Sequence, residues 1–509
     1  MAVVLACGGA WWTAYRYRSA MRRLMSAPTA KDRRAATPSV EGESLPPPVP
    51  VSLADNRRAA IRLMLLLIGL SALIAITSTS LWFALAFPGE ALAPKRVAVV
   101  ALARLWPVIP ALGLLWRWSR WRTLGVLVLW YLFCFAVMWW RSIEPQPLQL
   151  LLFLAGDIGP SMLIVAVICM GNATRAVAPW LLPPLLGLVW ASMIGTDALA
   201  FMVEQRSPLL LWMTSWLDAH WIMLLFALLP WLVAWWPLRF LGRALGRAYA
   251  RKHLSELLVL FSAVWAIELL SEALGVASDV GLTAIAMFLP LLWIPLVILP
   301  YARLRARRGR PPTLLVLRVF QRDAQVQALF DHVVERWRLS GNTVMIAGTD
   351  LATRTLDADD IFTFLDGRLA ERFIGSPADV TPRLDAFDMA PDADGRYRVN
   401  ECYCHDTTWQ DALQGLVRRS DVVLMDLRGF QAHNAGCGYE LQTLAQAARA
   451  LRVVVLADGQ TDRAAAKDAI GQSQPGRFAW LDAAKIDARK RREVLANLFS
   501  SPGVMPQTA

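Results

Sequence analysis

Between residues 63 and 301 the chain carries eight apolar runs, at 63–87, 97–116, 124–140, 148–170, 178–201, 209–236, 254–274 and 282–301. About 20 apolar residues is the length an α-helix needs to cross a bilayer. A helix satisfies its own backbone there, where no water can. The runs therefore predict an α-helical polytopic membrane domain of about eight transmembrane helices. The fourth run is interrupted at Gly156 and Asp157, and the fifth contains Pro183, Pro184 and Asp197. Basic residues gather before the first run (Arg57, Arg58, Arg62), between the second and third (Arg117, Arg120, Arg122), between the sixth and seventh (Arg239, Arg243, Arg247, Arg251, Lys252) and after the eighth (Arg303, Arg305, Arg307, Arg308, Arg310). The loop between the seventh and eighth has none. The positive-inside rule then predicts an integral inner (cytoplasmic) membrane protein with both termini in the cytoplasm.

Residue 311 divides the chain. Twenty of its 23 Trp precede that point, and so does the basic excess: 29 Lys and Arg face 14 Asp and Glu before it, 23 face 26 after it. Because the surplus charge borders apolar runs, it reads as a topology signal, and no nucleic acid is expected as a partner. Six Cys without paired spacing argue against a disulfide framework. The opening "MAVVLACGGAWWTAYRYR" lacks a basic start and is expected not to be a cleaved signal peptide. The domains expected are a largely disordered N-terminal cytoplasmic segment (1–56), the helix bundle (57–303), a basic linker (304–312), a cytoplasmic α/β domain (313–500) and a tail (501–509).

Ionisable residues within spans are costly and mark function by default. Arg104, Asp157, Asp197, Asp218, His220, Glu256, Glu268 and Glu272 qualify. Glu268 and Glu272, four apart, share a helix face. That face would line a wet path or pair with Arg104; the competing reading is ordinary interhelical hydrogen bonding.

After residue 311, short apolar runs alternate with helical periodicity. Strands are expected at 313–320, 343–348, 421–427 and 452–458 and at "RFAWLDA", and helices at 359–373, 408–419, 437–450, 463–470 and 488–498. A polar, hairpin-like segment is expected around "PDADGRYRVNECYC". Alternation of this kind predicts a doubly wound, mainly parallel sheet. Such sheets bind ligands beyond the carboxyl ends of their strands. Those ends supply Arg318, Arg322, Asp350, Asp426 and Arg428, followed by Asn434, Gly436 and Glu440. Arginines for phosphate and carboxylates for ribose hydroxyls suit a phosphorylated ribosyl ligand; strand-capping polarity is the alternative.

The segment "NAGCGYEL" resembles the D-x-G-x-x-x-E motif of nucleoside 2-deoxyribosyltransferases and the W-C-x-x-E-L helix of TIR domains. Asn434 stands where the first family has aspartate, and Gly436 where the second has tryptophan. The resemblance implies a flavodoxin/TIR-like fold. It also implies that Glu440 acts at the glycosidic carbon of a nucleoside or of NAD, with Asp426 or Asn434 near the ribose. The segments "AGTDLA" and "VVLMDLRGF" also resemble stretches of bacterial multi-pass membrane proteins of unassigned function.

A carboxylate in Glu440's place would stabilise an oxocarbenium-like state or trap it covalently. Alternatively, Gly436 and Gly438 serve helix packing and Glu440 is a favourable early-turn acid. "ECYCH" (401–405) raises a metal reading, but a structural zinc site needs four ligands, and the segment reads as a buried strand; no metal is expected. Two functions fit. In one, the α/β domain binds a nucleotide or ribosyl ligand and signals to the bundle; in the other, it is a membrane-tethered glycohydrolase of NAD, nucleosides or nucleotides that uses Glu440. A transporter or channel with a regulatory domain is a third, without a positive motif. The expected partners are the lipid bilayer, a nucleotide-like small molecule with NAD among the candidates, and further copies of the chain in a homo-oligomer.

Overall fold

The computed structural model describes residues 2–26, 46–89, 93–141, 146–170, 172–305, 309–318, 329, 333–347, 358–405, 407–448, 451–472 and 476–500. The chain divides into two compact units, Met1–Arg16 with Leu67–Leu299, and Tyr17–Leu66 with Pro300–Ala509.

In the first unit and its flanks, six helices are long and apolar enough to cross a membrane: Leu53–Ala86, Arg120–Arg141, Ala176–Glu204, Ala219–Ala250, Glu256–Ala277 and Thr283–Arg305. Two bent pairs, Pro94–Ala103 with Val108–Leu115 (46°) and Pro147–Asp157 with Gly159–Cys169 (54°), bring the number to eight if each is one span. These are the lengths and compositions of a multi-pass membrane protein. The first bend falls at Arg104–Pro107, where proline lacks the amide that would continue the helix. The second falls at the Gly156–Asp157 interruption. The run at 209–236 is not one helix: Pro208–Thr214 ends, and a new helix starts at Ala219 with Asp218 in the N-cap position. Between Asn172–Glu204 and Ala219–Ala250 the backbones approach closely, since a Cβ on Gly195 would lie 1.9 Å from the Phe226 carbonyl oxygen. Small residues permit such approaches where lipid supplies no hydrophobic drive.

The second unit is built on one all-parallel seven-stranded sheet in the order β3-β4-β2-β1-β5-β6-β7. The strands are β1 Thr313–Arg318, β2 Asn342–Ala347, β3 Phe373–Ile374, β4 Val399–Cys404, β5 Val422–Asp426, β6 Arg452–Ala457 and β7 Phe478–Asp482. The central strands are buried on both faces, as near-continuous apolar runs require. Alternate residues feed opposite cores: Leu315, Leu317, Val423 and Met425 pack towards helices Trp409–Arg419 and Ala435–Gln446. Leu314, Val316 and Leu424 pack with Tyr17, Met21, Trp337 and helix Ala488–Phe499.

Tyr17 and Met21 belong to helix Ala2–Ser26. That stretch lies within the segment expected to be largely linker, and its fully buried Tyr17 and Met21 hold it on the sheet; residues 27–45 lie outside the described residues. The segment expected to be hairpin-like supplies β4, which pairs in parallel with β2 and β3, so it forms no hairpin. The helix expected at 359–373 stops at Leu365, because Gly367 takes a left-handed φ of 75° and turns the chain towards β3.

Candidate functional site

From β1 the chain moves to β2 on one side, and from β5 it moves to β6 on the other. The crevice where strand order reverses lies between β1 and β5, the usual ligand position in open parallel sheets. Register places Arg318 opposite Asp426 at the carboxyl end of this pair, both 5% exposed. Arg428 grips Asp426 with two charge-assisted bonds, Nε to Oδ1 at 2.7 Å and Nη2 to Oδ2 at 2.6 Å. Its own backbone N–H adds a third at 3.2 Å. Asp426 and Arg428 therefore engage each other.

Glu440 lies on helix Ala435–Gln446, which follows β5, and is 5% exposed. Its Oε2 has no hydrogen-bond partner among the described residues. Burial pushes its carboxyl up to about 8, against the opposing pull of the Arg318 guanidinium. One turn earlier, Cys437 is pushed up to about 12 by burial and then by the charges of Glu440 and Asp426. Arg318, Asp426, Cys437 and Glu440 thus form one electrostatic group, although Arg318 and Glu440 are over 100 residues apart in sequence.

The loop before that helix is fastened to the end of β6. Gly429, at φ 71°, donates its N–H to Asp458 Oδ1 at 2.9 Å, and Thr461 Oγ1 donates to the Leu427 carbonyl at 2.9 Å. Asn434 holds the N-cap position without a side-chain cap bond; its Oδ1 instead accepts the Gln431 N–H in the preceding turn at 2.8 Å. Gly436 is exposed, and a Cβ on Gly436 or Gly438 would meet nothing within 4 Å among the described residues. Among the described residues, nothing packs against either glycine position. Arg322 and Asp350 lie outside the described residues. The Asp458 clamp was not singled out from the sequence, although "ADGQTD" carries an Asp with Thr three residues on, the signature of a side-chain-closed turn.

The amino end of the same strand pair is anchored. Asp421 Oδ2 accepts the Thr313 N–H at 2.9 Å, and its Oδ1 pairs with Arg310 at 2.5 Å. Arg310 also donates to the Pro46 carbonyl at 2.7 Å and accepts the Val49 N–H at 2.8 Å. Nearby, Asn56 in helix Leu53–Ala86 donates to the Arg336 carbonyl and Ser340 Oγ, both at 2.7 Å.

Cys402 and Cys404 share a face of β4 with their sulfurs 3.5 Å apart. Among the described residues no three His, Cys, Asp or Glu side chains converge as metal ligands would.

In the first unit, Arg104 is 1% exposed and joins Glu272 (3.0 Å) and Asp157 (3.6 Å). Its guanidinium also lies 5.2 Å from the Trp82 ring centroid. Glu268, one turn from Glu272, accepts a 2.5 Å bond from Ser161. Asp197, Asp218 and His220 are exposed and make no bond to this group. Glu256 occupies the first turn of its helix after the Ser255 N-cap.

No family model, curated protein or solved structure matches the chain.

Proposed function

We propose that the sheet-bearing unit binds a phosphorylated ribosyl ligand, of the nucleotide class, at the β1–β5 crevice of a flavodoxin/TIR-like domain, and that occupancy is relayed to the membrane helices. The observation that carries this reading is the buried Oε2 of Glu440, which has no hydrogen-bond partner among the described residues and feels the charge of Arg318. A buried polar atom without a partner is costly and calls for one, and a ribose hydroxyl supplies it. Arg318 places a buried positive charge where a phosphate would accept hydrogen bonds. The relay follows from the strands: β1 and β5 carry the candidate site at one end and the Arg310–Asp421 anchor at the other. Helix Leu53–Ala86, tied by Asn56, runs on from this unit as an apolar span. A ligand biases the helices only through a difference in affinity between two states of this frame.

The lack of any described neighbour within 4 Å of a Cβ at Gly436 or Gly438 favours a second reading, N-glycosidic cleavage with Glu440 at the reactive carbon. A carboxyl pushed up to about 8 is mostly protonated at neutral pH. It then donates a hydrogen bond better than it stabilises a cation, which ranks binding above cleavage.

The full chain in detergent, incubated with NAD and a panel of nucleosides and nucleotides, separates the readings. Saturable binding of one of them without release of base supports the binding role. Base release that Glu440→Gln abolishes replaces it with the glycohydrolase. Neither binding nor turnover removes both.

A further inference from the structure

A concavity lies in the sheet-bearing unit on the side of the amino-end anchor, where Val49 bonds Arg310. Its volume is about 400 Å³, and Val49, Asp55, Arg58, Arg62, Leu304 and Arg305 line it. That volume falls within the ~300–1,000 Å³ range of small-molecule sites. Three arginines and one aspartate leave it with a net positive charge.

Each charge has a definite setting. Ser52 and Asp55 close a capping box at the start of helix Leu53–Ala86, with Asp55 N–H to Ser52 Oγ at 3.1 Å and Ser52 N–H to Asp55 Oδ2 at 3.2 Å. Asp55 also holds Arg58 at 3.0 Å. Arg305 is steadied from behind by Tyr301 Oη (3.0 Å) and the Asp394 carbonyl (3.4 Å). Gly395, at φ 80°, leaves room for it, since a Cβ there would lie 2.6 Å from Arg305 Nη1. Arg62 is exposed and has no acceptor among the described residues.

The position of these arginines along their helices is informative. The apolar part of Leu53–Ala86 begins at Leu63, directly after Arg62, and the last apolar helix ends with Arg303 and Arg305 in its final turn. Both helices therefore bring their arginines to the level where hydrocarbon gives way to headgroups. At the rim, Leu304 is 89% exposed, a side chain that an acyl chain would cover. Basic pockets at this level between membrane helices suit anionic headgroups.

We propose that this cavity is a binding site for the phosphate group of an anionic lipid headgroup, with Arg58, Arg62 and Arg305 as its ligands and Asp55 as the built-in competitor that keeps Arg58 in place when the site is empty. A zwitterionic lipid is disfavoured because its quaternary ammonium meets the same arginines.

The test uses the full-length chain in neutral detergent, titrated with short-chain phosphatidylglycerol, short-chain phosphatidylcholine and inorganic phosphate, with binding read by native mass spectrometry. The wild type is expected to bind phosphatidylglycerol saturably and more tightly than phosphatidylcholine. Arg58→Gln with Arg62→Gln is expected to weaken phosphatidylglycerol roughly twenty-five-fold, from about fivefold per basic residue at a membrane surface, and to leave phosphatidylcholine unchanged. Both arginines are exposed, so the fold is kept. Asp55→Asn is expected to strengthen phosphatidylglycerol binding, a gain that no folding defect imitates. Equal affinity for the two lipids, or indifference to the double substitution, overturns the proposal. Displacement of the lipid by inorganic phosphate at equal concentration overturns the lipid as the source of the phosphate.

Discussion

Arg318 and Asp426 face each other on the last rung of the β1–β5 pair, where strand order reverses. Arg428 pairs with Asp426, and the charge of Arg318 also acts on Glu440, whose Oε2 has no hydrogen-bond partner among the described residues.

Glu440 makes stability depend on pH. Its folded carboxyl titrates near 8, against an ordinary value of 4.5. The folded chain therefore keeps a proton that the unfolded chain releases between those values. The stabilisation is full below about 4.5 and is lost as pH rises through about 8. Glu440→Gln lacks this slope. Chemical denaturation of both chains at pH 5 and pH 8 is expected to show the variant gaining, relative to wild type, on the order of a few kcal/mol across the window.

Gly436→Ala separates ligand binding from folding. An alanine there meets no atom within 4 Å among the described residues, and the position is helical. Stability is expected to hold or to rise by up to ~1 kcal/mol. If the sugar approaches this backbone, nucleotide affinity falls at the same time; thermal unfolding and a binding isotherm on one preparation check both.

Asp421 is expected to be structurally critical. Asp421→Asn removes the charge that holds Arg310 and weakens the bond to Thr313, leaving a largely buried guanidinium short of its partner. The expected loss is about 3 kcal/mol, the scale for breaking a buried hydrogen-bonded pair from one side. Urea denaturation of the full chain measures it. If the relay runs through this anchor, ligand affinity at the far end of the strands changes little, while any ligand-dependent change in the bundle disappears.

In the membrane helices, Arg104 is the cation shared by Glu272 and Asp157. Arg104→Gln is expected to cost about 3–5 kcal/mol, because it strands a buried carboxylate. Combining it with Glu272→Gln should recover much of that loss. A double-mutant cycle on thermal stability reads the coupling directly.

Features set by local composition were legible from the sequence. The apolar runs and the carboxyl ends of β1 and β5 needed only length, apolarity and alternation, which is why Arg318, Asp426 and Glu440 could be named together. Features made by distant contacts were not. The Arg310–Asp421 anchor joins residues 111 apart, and Tyr17 enters a core built from strands that begin nearly 300 residues later. β3 has two residues, too few for any periodicity to show. The pairing of Arg104 with Glu272 was visible only as one of two options, since helix-face spacing says which residues point the same way and not what they meet. That the fork of Arg428 closes on a carboxylate two residues away was likewise hidden, since sequence does not show which side chains pair.

The most direct measurement is the affinity of the full chain for its best-binding nucleotide, compared with Arg318→Met. Losing a charge-assisted bond to phosphate costs about 1.5–3 kcal/mol, so binding at the β1–β5 crevice is expected to weaken roughly tenfold to a hundredfold in a chain that remains folded. Unchanged affinity in a folded Arg318→Met chain would contradict a phosphate site at the strand switch.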